Sequence, residues 1–431
     1  MKLILGYGRS GQKVADVLSK RGEFAYVSDI EEKKDVKVYP SIEYIWGDHP
    51  LWLLDKVDEI ILSPGIPKDI NFLKKAKERN IKIISELEWA LEQINGIKLG
   101  ITGTNGKTTT TSLISHIFSF NGIKSITAGN IGIPLSSFLE EEPFDVYAIE
   151  ISSFQLEVMS KKLLDGALLL NITPDHIDRH KSFENYLEIK KNIFNLLKKG
   201  GVGVAPEGLF PELILSRYGN SKNCELIIEK EKFIFEGKEI LKRDDLKLLG
   251  DHNWENAAGA VLLSLKFGIE GEKIKKPIEV FRPLEHRMEI VDEVNGITFI
   301  NDSKGTNVDS VVKALTGVPD KKTVLILGGK DKGSDFSPLK EDIKKKCLAV
   351  FCIGEAKEKI FHTLNNLNIK IILKENLEDV FSSLDEVLEN GSFVLLSPGC
   401  ASFDQYKNYE ERGKHFKELV RKWKERKSRI L

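Results

Sequence analysis

A chain of 431 residues, 41% of them apolar, has room for two to four domains and for several cores. Its 64 lysines and arginines balance 65 aspartates and glutamates, which leaves no net field to recruit nucleic acid or an anionic membrane. No apolar run approaches the length of a membrane span, and Cys224, Cys347, Cys352 and Cys400 are scattered without a C-x-x-C pair. A cytoplasmic monomer with reduced thiols and small-molecule ligands is expected.

Residues 1 to 94 alternate short apolar strands (2–5, 24–28, 59–62, 81–84) with helical segments, the pattern of a parallel sheet covered by helices in a Rossmann-like domain. The first turn, Gly6-Tyr7-Gly8-Arg9-Ser10-Gly11, is a full G-x-G-x-x-G between strand and helix, and Asp29 ends the second strand. This geometry suits the pyrophosphate of NAD or of another nucleotide. Ser63-Pro64-Gly65-Ile66-Pro67 follows the third strand as a second ligand loop or a rigid turn.

A new series opens near residue 95 and runs to 282, with strands over 97–101, 146–151, 167–172 and 202–205. The first of these enters a loop with Gly103 and Gly106 and leaves on a helical pattern carrying Leu113, Ile114, Ile117 and Phe118. A strand, a glycine loop and a helix in that order make a phosphate cradle, because converging backbone N–H groups and the helix N-terminus both favour an anion. Lys107 can reach terminal phosphates and Thr108 can hold Mg²⁺, so ATP is the expected ligand. The loop is short, with Ile101 where the first glycine of G-x-x-x-x-G-K-[ST] would stand. A patch at 224–228, 233–235 and 239–241 reads as antiparallel hairpins, and 252–267 as a helix. From 283 a third α/β series has strands at 298–301, 323–327, 349–353, 370–373 and 393–396, then a helix from about residue 404 to the C-terminus.

Acids and histidines gather where these strands end. Glu150 closes a strand and suits Mg²⁺ beside a phosphate cradle. Asn171-Ile172-Thr173-Pro174-Asp175-His176-Ile177-Asp178-Arg179-His180 crowds metal and phosphate ligands into one loop. Lys190 and Lys191 read as ordinary surface charges. Asn253 and Asn256 lie three apart at the start of a helix, suited to adenine or to capping, and His286-Arg287 with Asn301-Asp302-Ser303-Lys304 bring further polar groups.

Together these stretches, with Gly129-Asn130-Ile131-Gly132 and the run from Ser397 to Tyr406, resemble the Mur ligase family of peptidoglycan synthesis over essentially the whole chain. The resemblance implies an ATP-dependent amide ligase that adds D-glutamate to UDP-N-acetylmuramoyl-L-alanine through an acyl phosphate and a tetrahedral intermediate. It implies three domains: 1–94 for the UDP-sugar, 95–282 of P-loop type for ATP, and 283–431, Rossmann-like, for the acceptor. It also implies roles. Lys107, Glu150, His176, Lys190 and Lys304 would be catalytic. ATP would lie on Gly103, Thr104, Asn105, Gly106, Lys107, Thr108 and Thr109, with Asn253, Asn256, Arg287 and Asp302. Two Mg²⁺ ions would be held by Thr108, Glu150, His176 and a carbamylated Lys190. The UDP-sugar would meet Gly8, Arg9, Ser10, Asp29, Ser63, Gly65 and Asn130, and D-glutamate Thr306, Lys332, Ser402 and Tyr409.

Overall fold

The computed structural model describes residues 1–32, 36–130, 132–282 and 284–428. Ile131 of the Gly129–Gly132 stretch and the expected domain boundary at 283 therefore lie outside the described residues. The chain divides into two compact units. The first comprises Met1–Ile172, Ser182–Asp245 and Asn256–Glu279, and the second Thr173–Lys181, Leu246–Glu255 and Val280–Leu431.

Two sheets build the first unit. One contains β1 (Lys2–Leu5), β2 (Ala25–Asp29), β3 (Ile42–Trp46), β4 (Glu59–Leu62) and β5 (Lys82–Ser85), all parallel, in the order β3-β2-β1-β4-β5. Alternate residues feed opposite faces: Ile4 and Ile61 enter one core, Leu3, Leu5, Ile60 and Leu62 the other. Burial on both sides explains why β1 and β4 read as apolar runs.

The other contains β6 (Ile97–Thr102), β7 (Ser125–Gly129), β8 (Val146–Glu150), β9 (Leu164–Leu169), β10 (Leu197–Pro206), β11 (Ser216–Gly219), β12 (Leu226–Glu229), β13 (Lys232–Phe235) and β14 (Lys238–Lys242). Its order is β14-β13-β12-β11-β10-β9-β6-β8-β7. The expected hairpins are β12–β14, antiparallel to one another, and they extend this sheet because β12 runs parallel to β11.

Short helix Glu86–Leu91 joins the sheets through its acidic side chains. Glu86 Oε1 accepts from Ser136 N at 2.9 Å, and the Glu88 carboxylate accepts from Ser160 N and Lys161 N at 3.0 and 3.1 Å. Burial raises the pKa of Glu86, with the Ser136 hydrogen bonds acting against the shift.

The second unit is built on β15 (Glu289–Val294), β16 (Ile297–Asn301), β17 (Thr323–Gly328), β18 (Cys347–Ile353), β19 (Lys370–Leu373) and β20 (Phe393–Leu396), ordered β15-β16-β20-β17-β18-β19. All neighbours are parallel except β15 with β16. Leu325, Leu327 and Leu395 pack into one core, and Val324, Ile326 and Leu396 into the other.

Four of these strands are absent from the sequence reading. β3, β7 and β15 are sheet edges whose apolar residues are interrupted by polar or small ones, as in Ser125–Gly129 or Glu289–Val294. β11 is interior but carries Arg217, whose guanidinium donates to Phe210 O at 2.8 Å and Leu213 O at 3.2 Å. The final helix starts at Tyr409, later than expected, because Asn408 turns its amide oxygen to Glu411 N at 2.8 Å.

The first turn sets a tight requirement. Gly6 has φ +91°, and a Cβ on Gly11 would fall 2.0 Å from Gly6 O, a backbone atom that cannot yield. Gly11→Ala should therefore lower stability by roughly 1–3 kcal/mol in urea unfolding, the usual cost of overpacking. Gly65→Ala, with nothing within 4 Å of the new Cβ, should be close to neutral. Equal unfolding midpoints for the two variants would contradict this reading of the turn.

Candidate active site

β6 ends at Thr102 and the chain turns through Gly103 (φ +155°) and Gly106 (φ +83°) into helix Lys107–Phe120. Gly106 has no room for a side chain: its Cβ would sit 2.3 Å from Asn256 Oδ1. Asn171, just beyond β9, braces the loop from beside it. Asn171 O accepts from Thr104 N (2.9 Å), its Oδ1 accepts from Asn105 N (2.9 Å), and its Nδ2 donates to Asn105 O (3.0 Å). Lys107 curls over this loop, Nζ donating at 2.8 Å to both Gly103 O and Thr104 O. Thr109 is buried in the first turn of the helix. The loop has the form of an anion cradle, with two glycines, a lysine and a helix N-terminus together.

Glu150 stands at the mouth of the cradle, 2% exposed at the end of β8. Its Oε2 accepts from Thr108 Oγ1 at 2.7 Å, and its Oε1 from Asn130 Nδ2 at 2.8 Å. Thr108 in the first turn of the helix, Asn130 after β7 and Glu150 at the end of β8 thus meet at one carboxylate.

Lys190 is no surface residue. It is 1% exposed on helix Phe183–Lys191, and its Nζ donates to Thr102 Oγ1 at 3.2 Å, directly before the cradle. Thr102 Oγ1 donates in turn to Ile151 O at 2.7 Å. Nζ also lies 5.1 Å over the ring of Tyr186, whose hydroxyl is 3.1 Å from Thr104 Oγ1. Lys191, the next residue, pairs with Glu212 at 2.5 Å.

Of the expected sugar-nucleotide residues, Gly8, Arg9, Ser10, Asp29 and Ser63 lie at the first turn, whereas Asn130 is held at Glu150. Ser63 Oγ donates to Gly6 O at 2.8 Å. Asp29 fastens the turn to β2: its carboxylate accepts from Tyr7 N at 2.7 Å and Glu31 N at 3.0 Å. Arg9 and Ser10 open helix Arg9–Lys20, with Gly8 before them.

In the second unit, the loops after β16, β17 and β20 share one sheet edge. Gly399 N donates to Gly305 O at 2.8 Å, Lys330 pairs with Ala401, and these contacts bring the segments of Thr306, Lys332 and Ser402 together. Ser402 is buried and Lys332 exposed. Lys304 Nζ lies 4.7 Å over the ring of Tyr409, and Tyr409 meets His286 edge-on at 6.2 Å. Arg412, 1% exposed, ties two loops: it donates to Ser303 O (2.8 Å), Ser303 Oγ (3.0 Å), Cys400 O (3.2 Å) and Ala401 O (3.3 Å). Asp302 accepts from Ser397 Oγ at 2.8 Å and Met288 N at 3.3 Å. Burial pushes its pKa up to about 7, against the Ser397 hydrogen bond and the charges of Arg287 and Arg412.

His176 also belongs to the second unit, with a left-handed backbone (φ +53°) and Nε2 3.6 Å from Asp175 Oδ2. Helix Asp251–Lys266 passes from one unit to the other between Glu255 and Asn256. Asn253 on its second-unit part donates to Leu249 O at 2.7 Å.

Three family models match the chain in order: the MurD-like N-terminal domain of Mur ligases over residues 1–85, the Mur ligase middle domain over 101–264, and the Mur ligase glutamate ligase domain over 286–400. The chain belongs to the Mur ligase family. It is 37% identical to the UDP-N-acetylmuramoylalanine–D-glutamate ligase of Alkaliphilus oremlandii, over 97% of both chains. It is 38% identical to the protein of that name from Caldicellulosiruptor bescii, over 97% of this chain and 96% of the other. Among solved structures, the Thermotoga maritima UDP-N-acetylmuramate-alanine ligase MurC shares the Mur ligase fold at a TM-score of 0.63 and 19% identity, over 98% of this chain and 99% of that one.

Asp302 gives this site a pH signature. The folded state keeps its proton up to about pH 7, whereas an unfolded aspartate releases it near pH ~4. The folded form thus binds the proton more tightly, so this contribution to stability is full below the unfolded pKa and is lost as pH rises through the folded one. Asp302→Asn, which has no proton to lose, should gain stability over the parent as pH climbs from about 4 to about 8 without nucleotide. A pH-independent difference in urea unfolding would contradict this.

Proposed function

We propose that the chain joins D-glutamate to UDP-N-acetylmuramoyl-L-alanine with cleavage of ATP to ADP and phosphate. The observation that carries this reading is the meeting of Thr108, Asn130 and Glu150 at a lysine-bearing phosphate cradle, in a chain whose full-length relatives bear that enzyme's name. The substrate carboxylate attacks the γ-phosphorus of ATP, an O–P bond forms, and ADP leaves. The amine of D-glutamate then attacks the acyl carbon, and the tetrahedral intermediate expels phosphate while the nitrogen loses a proton.

Both reactants and the nucleotide are anionic, so positive charge must be supplied in a dry site. Lys107 and the cradle N–H groups do this for the phosphates. The hydroxyl of Thr108 and the Glu150 carboxylate are hard oxygen donors that fit Mg²⁺, which when bound neutralises phosphate charge. Asn253, Asn256, Arg287, Asp302 and Lys304 are further nucleotide residues in this reading. Gly8, Arg9, Ser10, Asp29, Ser63, Gly65 and Asn130 hold the UDP-sugar, and Thr306, Lys332, Ser402 and Tyr409 hold D-glutamate. The corresponding domains are 1–94, 95–282 and 283–431, in a cytoplasmic monomer.

A second Mg²⁺ would draw on His176 and a carbamylated Lys190. An ammonium beside a cation is repelled, whereas reaction of the amine with CO₂ releases a proton and leaves an anionic carbamate with oxygen donors. The burial of Lys190 beside Thr102, against the half-buried and ion-paired Lys191, supports giving this role to Lys190.

Phosphate release measured with UDP-N-acetylmuramoyl-L-alanine should require D-glutamate for sustained turnover, and Lys107→Ala should lower it by roughly 10²–10³-fold, the scale of one lost transition-state donor. Near-normal turnover in a folded Lys107→Ala protein would overturn the cradle's role. Lys190→Ala should lose most activity and regain part of it with acetate, whereas Lys191→Ala should remain active. The reverse pattern would exclude a carbamate at Lys190.

A further inference from the structure

The chain leaves the first unit at Ile172 and re-enters it at Ser182, and the segment between, Thr173–Lys181, belongs to the second unit. His176 lies in this segment with φ +53°, a left-handed backbone that a residue with a Cβ keeps only where its surroundings hold it. Asp175 supplies part of that hold. Its Oδ1 accepts from His176 N at 3.0 Å, and its Oδ2 lies 3.6 Å from His176 Nε2.

Asp175 is met in turn by Asn307, whose Nδ2 donates to Asp175 Oδ2 at 3.3 Å. The far side of the amide fixes this direction. Asn307 caps helix Val308–Thr316, and its Oδ1 accepts from Ser310 N at 2.8 Å and Ser310 Oγ at 2.7 Å. A backbone N–H can only donate, so the amide oxygen faces the helix and the NH₂ group faces Asp175. A second tie lies two residues on. Thr173 Oγ1 donates to Asp309 Oδ2 at 3.0 Å, and Lys313 Nζ donates to the same oxygen at 2.8 Å. Thr306, assigned above to D-glutamate, directly precedes Asn307. Two side chains, Asn307 and Asp175, therefore connect the proposed acceptor loop to His176.

We propose that Asn307 is a positioning residue for His176: acting through Asp175, it seats the His176 loop on the loop that receives the amino-acid acceptor. The inference rests on the reading of His176 as a Mg²⁺ ligand given above. Asn307 then has one task at each end of its amide, and the two can be separated. Asn307→Asp keeps an acceptor for Ser310 N and suits a helix N-terminus, but it turns an anion instead of a donor toward Asp175. Asp175→Asn combined with Asn307→Asp again sets a donor against an acceptor, in the reverse direction, and still offers an oxygen to His176 N.

Hydrogen–deuterium exchange of the intact protein, read on peptides covering 173–181, tests the seat. Arg179 N and His180 N donate to His176 O and report the order of the loop. Asn307→Asp should speed exchange there by about tenfold or more while the urea unfolding midpoint changes little, and the double substitution should bring the rate back toward the parent's. Should Asn307→Asp not fold, Asn307→Ser keeps a cap without the amide and should loosen the same peptides. Parent-like exchange in a folded Asn307 variant, or loosening that the double substitution does not reverse, overturns the inference. Phosphate release against Mg²⁺ concentration, on the same samples, reads the role of His176. Asn307→Asp should need about threefold more Mg²⁺ or beyond for half-maximal rate, and the double substitution less than that. Reversible loosening with an unchanged Mg²⁺ requirement overturns the metal role of His176 on which the inference rests, and leaves the seating of the loop supported.

Discussion

Glu150 places a carboxylate at a strand end with 2% exposure, and a buried carboxylate must be met by donors or it destabilises the fold. The first unit meets it twice, with the Thr108 hydroxyl and the Asn130 amide. Those two contacts fix more than an acid. Thr108 lies in the first turn of the helix that forms the cradle, and Asn130 follows β7, so the carboxylate registers the helix start, the β7 loop and β8 against one another. Asn171 does the same from β9, holding the cradle backbone through three hydrogen bonds. These hydrogen bonds hold the glycine loop and the start of its helix in one arrangement.

The second unit solves a matching problem with the charges exchanged. Arg412 is fully enclosed, and its guanidinium is satisfied by carbonyl and hydroxyl oxygens of Ser303, Cys400 and Ala401. Burial lowers its pKa to about 10, with the Cys400, Asp404 and Asp302 groups opposing, so it stays charged at neutral pH. Arg412 adds a further tie between the loop beginning at Asp302 and the loop ending at Ser402, beside the Gly399–Gly305 and Ser397–Asp302 hydrogen bonds. Asp302 is poised near neutrality close to these ties, where a modest change of environment alters its protonation.

Much of this was legible in the residues. The glycine loop, Lys107, Thr108 and Glu150 stand out because strand, loop and helix signals coincide with the residue types that phosphate chemistry needs. The doubly buried strands were readable for a physical reason, since apolar runs follow directly from packing on both faces. Strands β3, β7 and β15 were not, because polar or small residues interrupt their apolar ones: Glu43 in β3, Ser125 and Thr127 in β7, Asp292 and Glu293 in β15. Asn171 lay in view at the head of a crowded stretch, yet nothing in the sequence shows that its amide faces a neighbouring loop. Tyr186 and Arg412 carry no signal at all: one reads as a helix core residue, the other as another charge in a charged helix. Lys190 is instructive, because helical spacing alone does not tell a buried lysine from its half-buried neighbour Lys191. Only packing against Thr102 and Tyr186 does.

The central claim is that Glu150 and Thr108 form a Mg²⁺-dependent nucleotide site on the glycine-loop cradle. Calorimetric titration of ATP into the parent protein and into Glu150→Gln, each with and without Mg²⁺, tests it most directly. The account predicts that Mg²⁺ tightens ATP binding to the parent and that this gain largely disappears in Glu150→Gln, which keeps a similar shape but loses the charge. A Glu150→Gln protein whose ATP affinity responds to Mg²⁺ as fully as the parent's would contradict it.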